Sequence, residues 1–273
     1  MQTPLTQTVS EDDTASAFYQ DMLRSLIAAE IPFMVGGAYA FSHFTGITRP
    51  TKDLDLFILR NDFERLTESM KPYGYETELT YPHWLGKIHS GEHFVDLIFS
   101  SGNGIAEVDQ NWFRHAVPAE VLGVPVLICP IEETIWSKAF IMERERFDGA
   151  DIAHLIRTGS AGMDWQRLLQ RFDPHWRLLF SHLVLFGFVY PDHHNLVPHW
   201  LMNTLMERLR AEMESGPAAE HVCQGTLLSR AQYLPDIERW GYRDARLLPP
   251  GTMTAEDAES WTEAIEGRGD KQD

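Results

Sequence analysis

The segment that most constrains the fold is FMVGGAYAFSHFTGITRPTKDLDLFIL, residues 33–59. An apolar run is interrupted by Gly36 and Gly37, a helical pattern follows, and a second apolar run carries Asp53 and Asp55. This order predicts a strand, a tight turn into a helix, and a second strand. Aspartate is depleted in strands, so two of them one residue apart in an apolar strand require an explanation.

Strand and helix patterns are mixed up to about residue 128, and almost only helical patterns follow. Hairpins are predicted in WLGKIHSGEHFVDLIFSS, turning at Ser90 and Gly91, and in AVPAEVLGVPVLIC, turning near Gly123. PIEETIWSKAFIMERE, which begins at Pro130, is the first of several predicted helices in the second half. The sequence therefore predicts an α+β fold in three parts: residues 1–128, 129–250 and 251–273.

The charge distribution limits the class of partner. The net charge is −17; residues 1–30 hold five acids and one base, and residues 251–273 hold seven acids and two bases, which leaves the body, residues 31–250, at −8. Such a body does not attract a nucleic acid backbone, so a duplex is disfavoured as a partner and RNA mildly so.

Targeting and membrane signals are weak in this sequence. The first residues show neither a basic region nor an apolar stretch of the secretory type, and LLFSHLVLFGFVY, the longest apolar run, has only 13 residues. Cys129 and Cys223 form neither a disulfide framework nor a metal-ligand spacing. We expect a cytoplasmic protein without membrane association.

The two strand aspartates suggest a cation. Side chains alternate across a strand, so Asp53 and Asp55 point to one face. Two ionised carboxylates that close repel each other unless a cation lies between them, and Mg²⁺ meets this need because it prefers oxygen ligands. Asp96, in the apolar run HFVDLIF, offers a third carboxylate if its strand pairs with that of Asp55. In the alternative interpretation, the acids lie at a solvated strand end and bind nothing.

The run GGAYAFSHFTGITRPTKDLDLFI, followed by FVDLIF, resembles the motif of the nucleotidyltransferase superfamily with the DNA polymerase β-like fold. That motif has a Gly-Gly or Gly-Ser turn, an acid-x-acid strand and a third acid on a neighbouring strand. The resemblance covers residues 31–156 and is strongest to bacterial minimal nucleotidyltransferases and nucleotidyltransferase toxins of abortive-infection systems. It implies a nucleotidyltransferase domain over residues 1–128, with a mixed sheet flanked by helices. The helical region 129–250 would complete the cleft, and an acidic tail would follow.

The resemblance also implies roles for the motif residues. Asp53 and Asp55 would hold a Mg²⁺ (or Mn²⁺) ion at the phosphates of an NTP, and Asp96 would join them at a second ion that activates an attacking hydroxyl. The turn at Gly36 and Gly37 would bring the backbone amides of a helix start to the triphosphate. A plain structural turn is the alternative for the two glycines.

Further nucleotide-binding candidates follow from the same resemblance: Ser42, Arg49, Thr51, Lys52, Lys138 and Asp148. Ser42 lies one helical turn after Ala38, which stands where many members have serine. Lys138, with Asp148 or Asp151 after it, matches the lysine helix of the toxin-like branch. The alternatives are solvated charges at the strand end and a lysine stem lying along an amphipathic helix.

The sequence therefore predicts a metal-dependent nucleotidyltransferase that moves a nucleoside monophosphate from an NTP to a hydroxyl acceptor. The acceptor is a small molecule, a protein side chain or an RNA end, and a protein partner is left open. In the alternative, a protein of the same fold binds or regulates without turnover, as in a component of a toxin–antitoxin pair.

Overall fold

The computed structural model describes residues 13–49, 51, 53–216 and 220–269. The chain forms two compact units. The first comprises Met1–Thr80, Leu85–Phe99 and Val108–Pro130, and the second comprises Tyr81–Trp84, Ser100–Glu107 and Ile131–Asp273. None of the helices in the described part of the chain combines the length and apolar character that a membrane crossing requires.

The first unit combines helices with seven strands. Its helices are α1 (Asp13–Ala28), α2 (Gly37–Thr45), α3 (Phe63–Met70) and α4 (Gln110–His115). Its strands are β1 (Met34–Val35), β2 (Asp55–Phe57), β3 (Glu76–Tyr81), β4 (Leu85–Ser90), β5 (His93–Ile98), β6 (Val117–Val121) and β7 (Val124–Ile128).

One mixed sheet joins these strands in the order β3-β4-β5-β2-β1-β7-β6. Strand β2 runs parallel to β5 and antiparallel to β1, and β1 runs parallel to β7. Helix α1 packs against β5, β7 and α3. The predicted α+β class, with a mixed sheet flanked by helices and a mostly helical region after it, is confirmed.

Strand β2 separates an apolar face from a polar one. Leu54, Leu56 and Ile58 are fully buried in the core that the sheet forms with α1 and α3. Burying each of these side chains contributes about 2 kcal/mol, which fixes the face that points inward. The alternation then leaves Asp53 and Asp55 on the opposite face.

The second unit is mostly helical. Its helices are α5 (Ile131–Ala139), α6 (Gly149–Gly159), α7 (Trp165–Phe172), α8 (Trp176–Val189), α9 (His199–Ser215), α10 (Leu234–Glu238) and α11 (Ala255–Gly269). Two short strands, β8 (Val222–Cys223) and β9 (Arg243–Asp244), pair in parallel. Helix α11 occupies much of the predicted acidic tail, of which residues 270–273 lie outside the described residues. The division predicted at residues 128 and 250 stays a prediction.

Two details of the sequence prediction were wrong. Helix α5 ends at Ala139 instead of continuing through MERE, because the chain turns back through a β-bridge between Met142 and Phe147. Strand β3 was not predicted, since four of the six residues of its sequence ETELTY are glutamate or threonine and it lies at the sheet edge.

A buried ion-pair network joins α5 to α7. Glu132 and Glu133 are both buried; Arg167 donates to Glu132, and Arg171 Nε donates to Glu133 Oε1 at 3.0 Å. Burial raises the pKa of Glu133 against the opposing effect of the two arginines. Because a buried charge without its partner is costly, the network ties the two helices together.

We expect Arg171→Met to lower the free energy of unfolding by about 3–5 kcal/mol, because Glu133 would be left buried without its hydrogen-bonded partner. The matched control is Arg177→Met, which removes an exposed ion pair with Glu212 between α8 and α9. That change should cost less than about 1 kcal/mol. Chemical denaturation measures both losses, and equal losses would contradict the role given to the network.

Candidate functional site

Two of the predicted acids lie side by side on neighbouring parallel strands. Asp55 of β2 and Asp96 of β5 are Cα partners. The N–H of Asp96 donates to the carbonyl oxygen of Leu54 at 3.0 Å, so the ladder extends beyond the end of β2. Because residues in register across a pleated sheet point to the same face, the two carboxyl groups share it. The strand pairing that the sequence prediction required is therefore observed.

Asp53 belongs to the same face by alternation. The Thr51 hydroxyl donates to the carbonyl oxygen of Asp53 at 3.0 Å and accepts the Asp53 N–H at 3.3 Å, which fixes the backbone just before β2. Burial raises the pKa of Asp96, Lys87 opposes this, and the negative charge of Asp53 adds to it. We call Asp53, Asp55 and Asp96 the acid face.

The turn at Gly36 and Gly37 fits closely against β2. The Gly36 N–H donates to the carbonyl oxygen of Asp55 at 2.9 Å, and Gly37 has a φ of +52°. A Cβ at position 37 would collide with the Asp55 carboxylate, and one at position 36 would collide with the Phe57 ring. This steric need explains both glycines without a ligand. It also places the start of α2 next to the Asp55 carboxylate.

Phe57 gives the turn a rigid support. Its ring stacks on that of Trp112 in α4, with centroids 5.3 Å apart, and Trp112 is fully buried. Helix α4 is itself fixed at its start, where the Asp109 carboxylate accepts the backbone N–H groups of Asn111 and Trp112. The position of Phe57, and with it the space beside Gly36, is therefore set by packing.

Lys87 is a member of this region that was not predicted from the sequence. It lies opposite Asp96 in the antiparallel register of β4 and β5, and its Nζ donates to Asp96 Oδ1 at 2.7 Å. The ammonium also lies 3.9 Å from the centroid of the Phe94 ring. The hairpin turn after Ser90 could have predicted this pairing, because the turn fixes which residues of the two strands face each other.

The remaining candidates of the first unit lie on and after α2. Ser42 is partly buried, and its carbonyl oxygen accepts the N–H of Gly46 at 2.8 Å, closing the helix. The Arg49 guanidinium lies over the Phe41 ring, 4.6 Å from its centroid. Lys52 lies outside the described residues. The nucleotide-binding roles of Ser42, Arg49, Thr51 and Lys52 stay predictions.

Lys138 and Asp148 lie in the second unit and contact each other there. Lys138 Nζ donates to one oxygen of Asp148 and one of Asp151, both at 2.9 Å, and Arg146 Nε donates to Asp148 at 3.0 Å. Although burial opposes it, Arg146 and Lys138 hold the pKa of Asp148 below its ordinary value. The charge of Lys138 is therefore balanced within its own unit. A nucleotide-binding role for Lys138 and Asp148 stays a prediction.

The acid face has the donor chemistry for a hard divalent cation, since Mg²⁺ and Mn²⁺ prefer carboxylate oxygens. Within the described ranges, however, no three or more His, Cys, Asp or Glu side chains are placed together as ligands of one metal ion. Asp96 is instead paired with the Lys87 ammonium. The metal-binding and catalytic roles of Asp53, Asp55 and Asp96 therefore stay predictions.

No protein-family model matches this chain, and no curated protein matches it. Solved structures do. The solution structure of the antibiotic-resistance factor ANT(2'')-Ia has 18% identity and a TM-score of 0.38 over 75% of this chain and 97% of its own. The antigenic nucleotidyltransferase-like protein from Paracoccidioides brasiliensis has 18% identity and a TM-score of 0.43 over 68% of this chain and 92% of its own.

The lincosamide antibiotic adenylyltransferase LnuA, in a lincomycin-bound crystal structure, has 14% identity and a TM-score of 0.37 over 51% of this chain and 94% of its own. Two of these three structures carry adenylyltransferase or nucleotidyltransferase-like in their names. The likeness concerns the fold. The antibiotics named for these structures are stated of those proteins and not of this chain.

The contact between Gly37 and Asp55 predicts a specific pattern of stability. We expect Gly37→Ala to lower the free energy of unfolding by about 2–5 kcal/mol, through a positive φ and a collision with the carboxylate. Gly46→Ala is the matched control, because Gly46 has a φ of +70° but no atom within 4 Å of an added Cβ. It should cost only about 1–2 kcal/mol.

A double-mutant cycle with Asp55→Ala isolates the collision. Removing the carboxylate should recover about 1–3 kcal/mol of the loss at position 37 and nothing of the loss at position 46. Urea denaturation of the six proteins measures these terms. Additive losses at positions 37 and 55 would show that the two residues are not in contact.

Proposed function

We propose that this chain is a metal-dependent nucleotidyltransferase, which moves a nucleoside monophosphate from an NTP to a hydroxyl acceptor. The observation that carries the proposal is the position of Asp55. Its carboxylate lies beside Asp96 on the paired strand and fills the space next to Gly37 at the start of α2. Acidic side chains and a helix N-terminus meet at one place.

This arrangement suits a triphosphate that carries a bound metal ion better than it suits a bare triphosphate. The start of a helix favours negative charge, whereas carboxylates repel a bare phosphate. A divalent cation held by Asp53 and Asp55 would resolve this conflict, because its charge attracts both sides. When bound, Mg²⁺ or Mn²⁺ would polarise the phosphate oxygens and offset the negative charge that develops on the oxygens around the α-phosphorus.

The protein's own residues would bind and orient the reactants. Asp53 and Asp55 would hold the ion and hence the phosphates, while the close fit of Gly36 and Gly37 against β2 keeps the start of α2 in place. The acceptor hydroxyl oxygen would bond to the α-phosphorus as the bond to the β-phosphate breaks and pyrophosphate leaves. The hydroxyl proton would pass to a carboxylate or to water. Because NTPs are the phosphate donors of the cell interior, the proposal implies a cytoplasmic enzyme.

The net charge of the chain indicates which classes of acceptor are favoured. The body of the chain, residues 31–250, carries −8, which favours a small molecule or a protein side chain over an RNA end. A second candidate function, a non-catalytic nucleotide-binding or regulatory protein, is favoured by one observation. The Lys87 ammonium satisfies Asp96 without a metal, so one acid of the face has a structural partner.

A measurement of catalytic turnover distinguishes the two candidate functions. With Mg²⁺ and each of the four NTPs, we expect pyrophosphate release when a suitable acceptor is supplied, with protein, RNA and small hydroxylated molecules tested in turn. Asp55→Asn should reduce the rate by about 10²–10³-fold, because it removes charge that stabilises the transition state through the ion. An enzyme-coupled pyrophosphate assay gives the rates.

Asp21→Asn on α1 is the matched control, since it makes the same chemical change at an exposed carboxylate that pairs with Arg24. It should leave the rate unchanged. Binding of NTP without pyrophosphate release in any acceptor pool would favour the non-catalytic candidate. Equal rates in the wild type and Asp55→Asn would place the chemistry elsewhere.

A further inference from the structure

The Asp96 carboxylate already has a cation beside it. Lys87 Nζ lies 2.7 Å from Asp96 Oδ1, and the two side chains are only 21% and 19% exposed. The resemblance to nucleotidyltransferases instead implied a second metal ion at this acid. The structure therefore places an ammonium where the resemblance implied a metal ion.

Lys87 is held at Asp96 from more than one side. Strand alternation places Phe94 and Asp96 on the same face of β5, and the antiparallel register places Lys87 of β4 opposite Asp96. The ammonium lies between the carboxylate and the Phe94 ring, whose centroid is 3.9 Å away. A cation over an aromatic face and against a carboxylate is stabilised by both contacts, and partial burial strengthens them.

A second divalent ion at Asp96 would conflict with this arrangement. Such an ion would have to bind a carboxylate oxygen within a few Å of the ammonium, and like charges that close repel strongly where water is partly excluded. Removing Lys87 from Asp96 would instead leave a half-buried ammonium without its partner. Either route opposes a second ion while Lys87 is present.

We propose that Lys87 takes the place of a second divalent cation, so that the acid face binds one divalent ion, held by Asp53 and Asp55. This inference rests on the proposed function, since it concerns the same site. Lys87 supplies one positive charge beside Asp96 at any metal concentration. It is a positioning residue: it acts on the site through the Asp96 carboxylate.

The experiment counts the ions that the full chain binds. Mn²⁺ is titrated into the protein without nucleotide, and electron paramagnetic resonance measures the Mn²⁺ left free. We expect one Mn²⁺ per chain for the wild type. Lys87→Met should bind two, or should bind the first at least tenfold more tightly. The matched control is Lys71→Met, which removes an exposed lysine paired with Glu68 and should behave as the wild type.

Every outcome of this titration either supports or overturns the inference. Two Mn²⁺ ions on the wild type, or Lys87→Met with unchanged stoichiometry and affinity, would overturn the inference and leave the proposed function standing. No Mn²⁺ bound to the wild type or to any variant would overturn both. If Lys71→Met changes the Mn²⁺ stoichiometry or affinity as Lys87→Met does, the effect comes from net charge. That result would also overturn the inference.

Two further variants guard against a folding defect. Circular dichroism shows whether Lys87→Met retains the fold, and Lys87→Gln removes the same charge with a side chain that can still donate to Asp96. Lys87→Gln should then show the second or tighter Mn²⁺ site. Lys87→Arg, which keeps the cation, should bind one ion as the wild type does. Two ions on Lys87→Arg would contradict the proposal.

Discussion

The Asp55 carboxylate occupies the space that a side chain at position 37 would fill. This contact explains why the chain turns from β1 into α2 through glycine with a positive φ, and why α2 begins where it does. The neighbouring glycine meets the same constraint from Phe57, two residues along β2, whose ring rests on the buried Trp112. One short strand thus determines the position of a turn, a helix start and an aromatic support.

The contact between Asp55 and Gly37 lies where negatively charged side chains are close together. Asp55 shares its face of the sheet with Asp96 on β5, and the start of α2 lies against it. Ionised carboxylates this close repel one another, and nearby positive charge relieves that repulsion. The structure supplies such a charge through Lys87 at Asp96. Under the proposed function, a divalent ion would bind at Asp53 and Asp55, and the phosphates of a nucleotide would bind that ion.

Local patterns predicted much of this arrangement. The strand, Gly-Gly turn and helix could be read from residues 33–59, and the hairpin of β4 and β5 from its turn, because these signals involve residues close in sequence. The pairing of Asp55 with Asp96 is not local. It was predicted because the acid-x-acid strand and the later single acid resemble a known motif.

Other features depend on contacts that a linear pattern does not show. Lys87 reads as an ordinary polar position of a strand, and only the register of the hairpin brings it to Asp96. The end of α5 at Ala139 is set by the bridge between Met142 and Phe147, although the sequence MERE favours a continued helix. In both cases tertiary pairing decides what local propensity leaves open.

The most direct test of this account is calorimetric titration of ATP, GTP, CTP and UTP, with and without Mg²⁺, into the wild type and Asp53→Asn/Asp55→Asn. The account predicts that at least one NTP binds the wild type in a Mg²⁺-dependent manner and that the double variant loses this binding. Equal binding by the two proteins would place the nucleotide pocket away from the acid face. No binding by the wild type would contradict the nucleotide site itself.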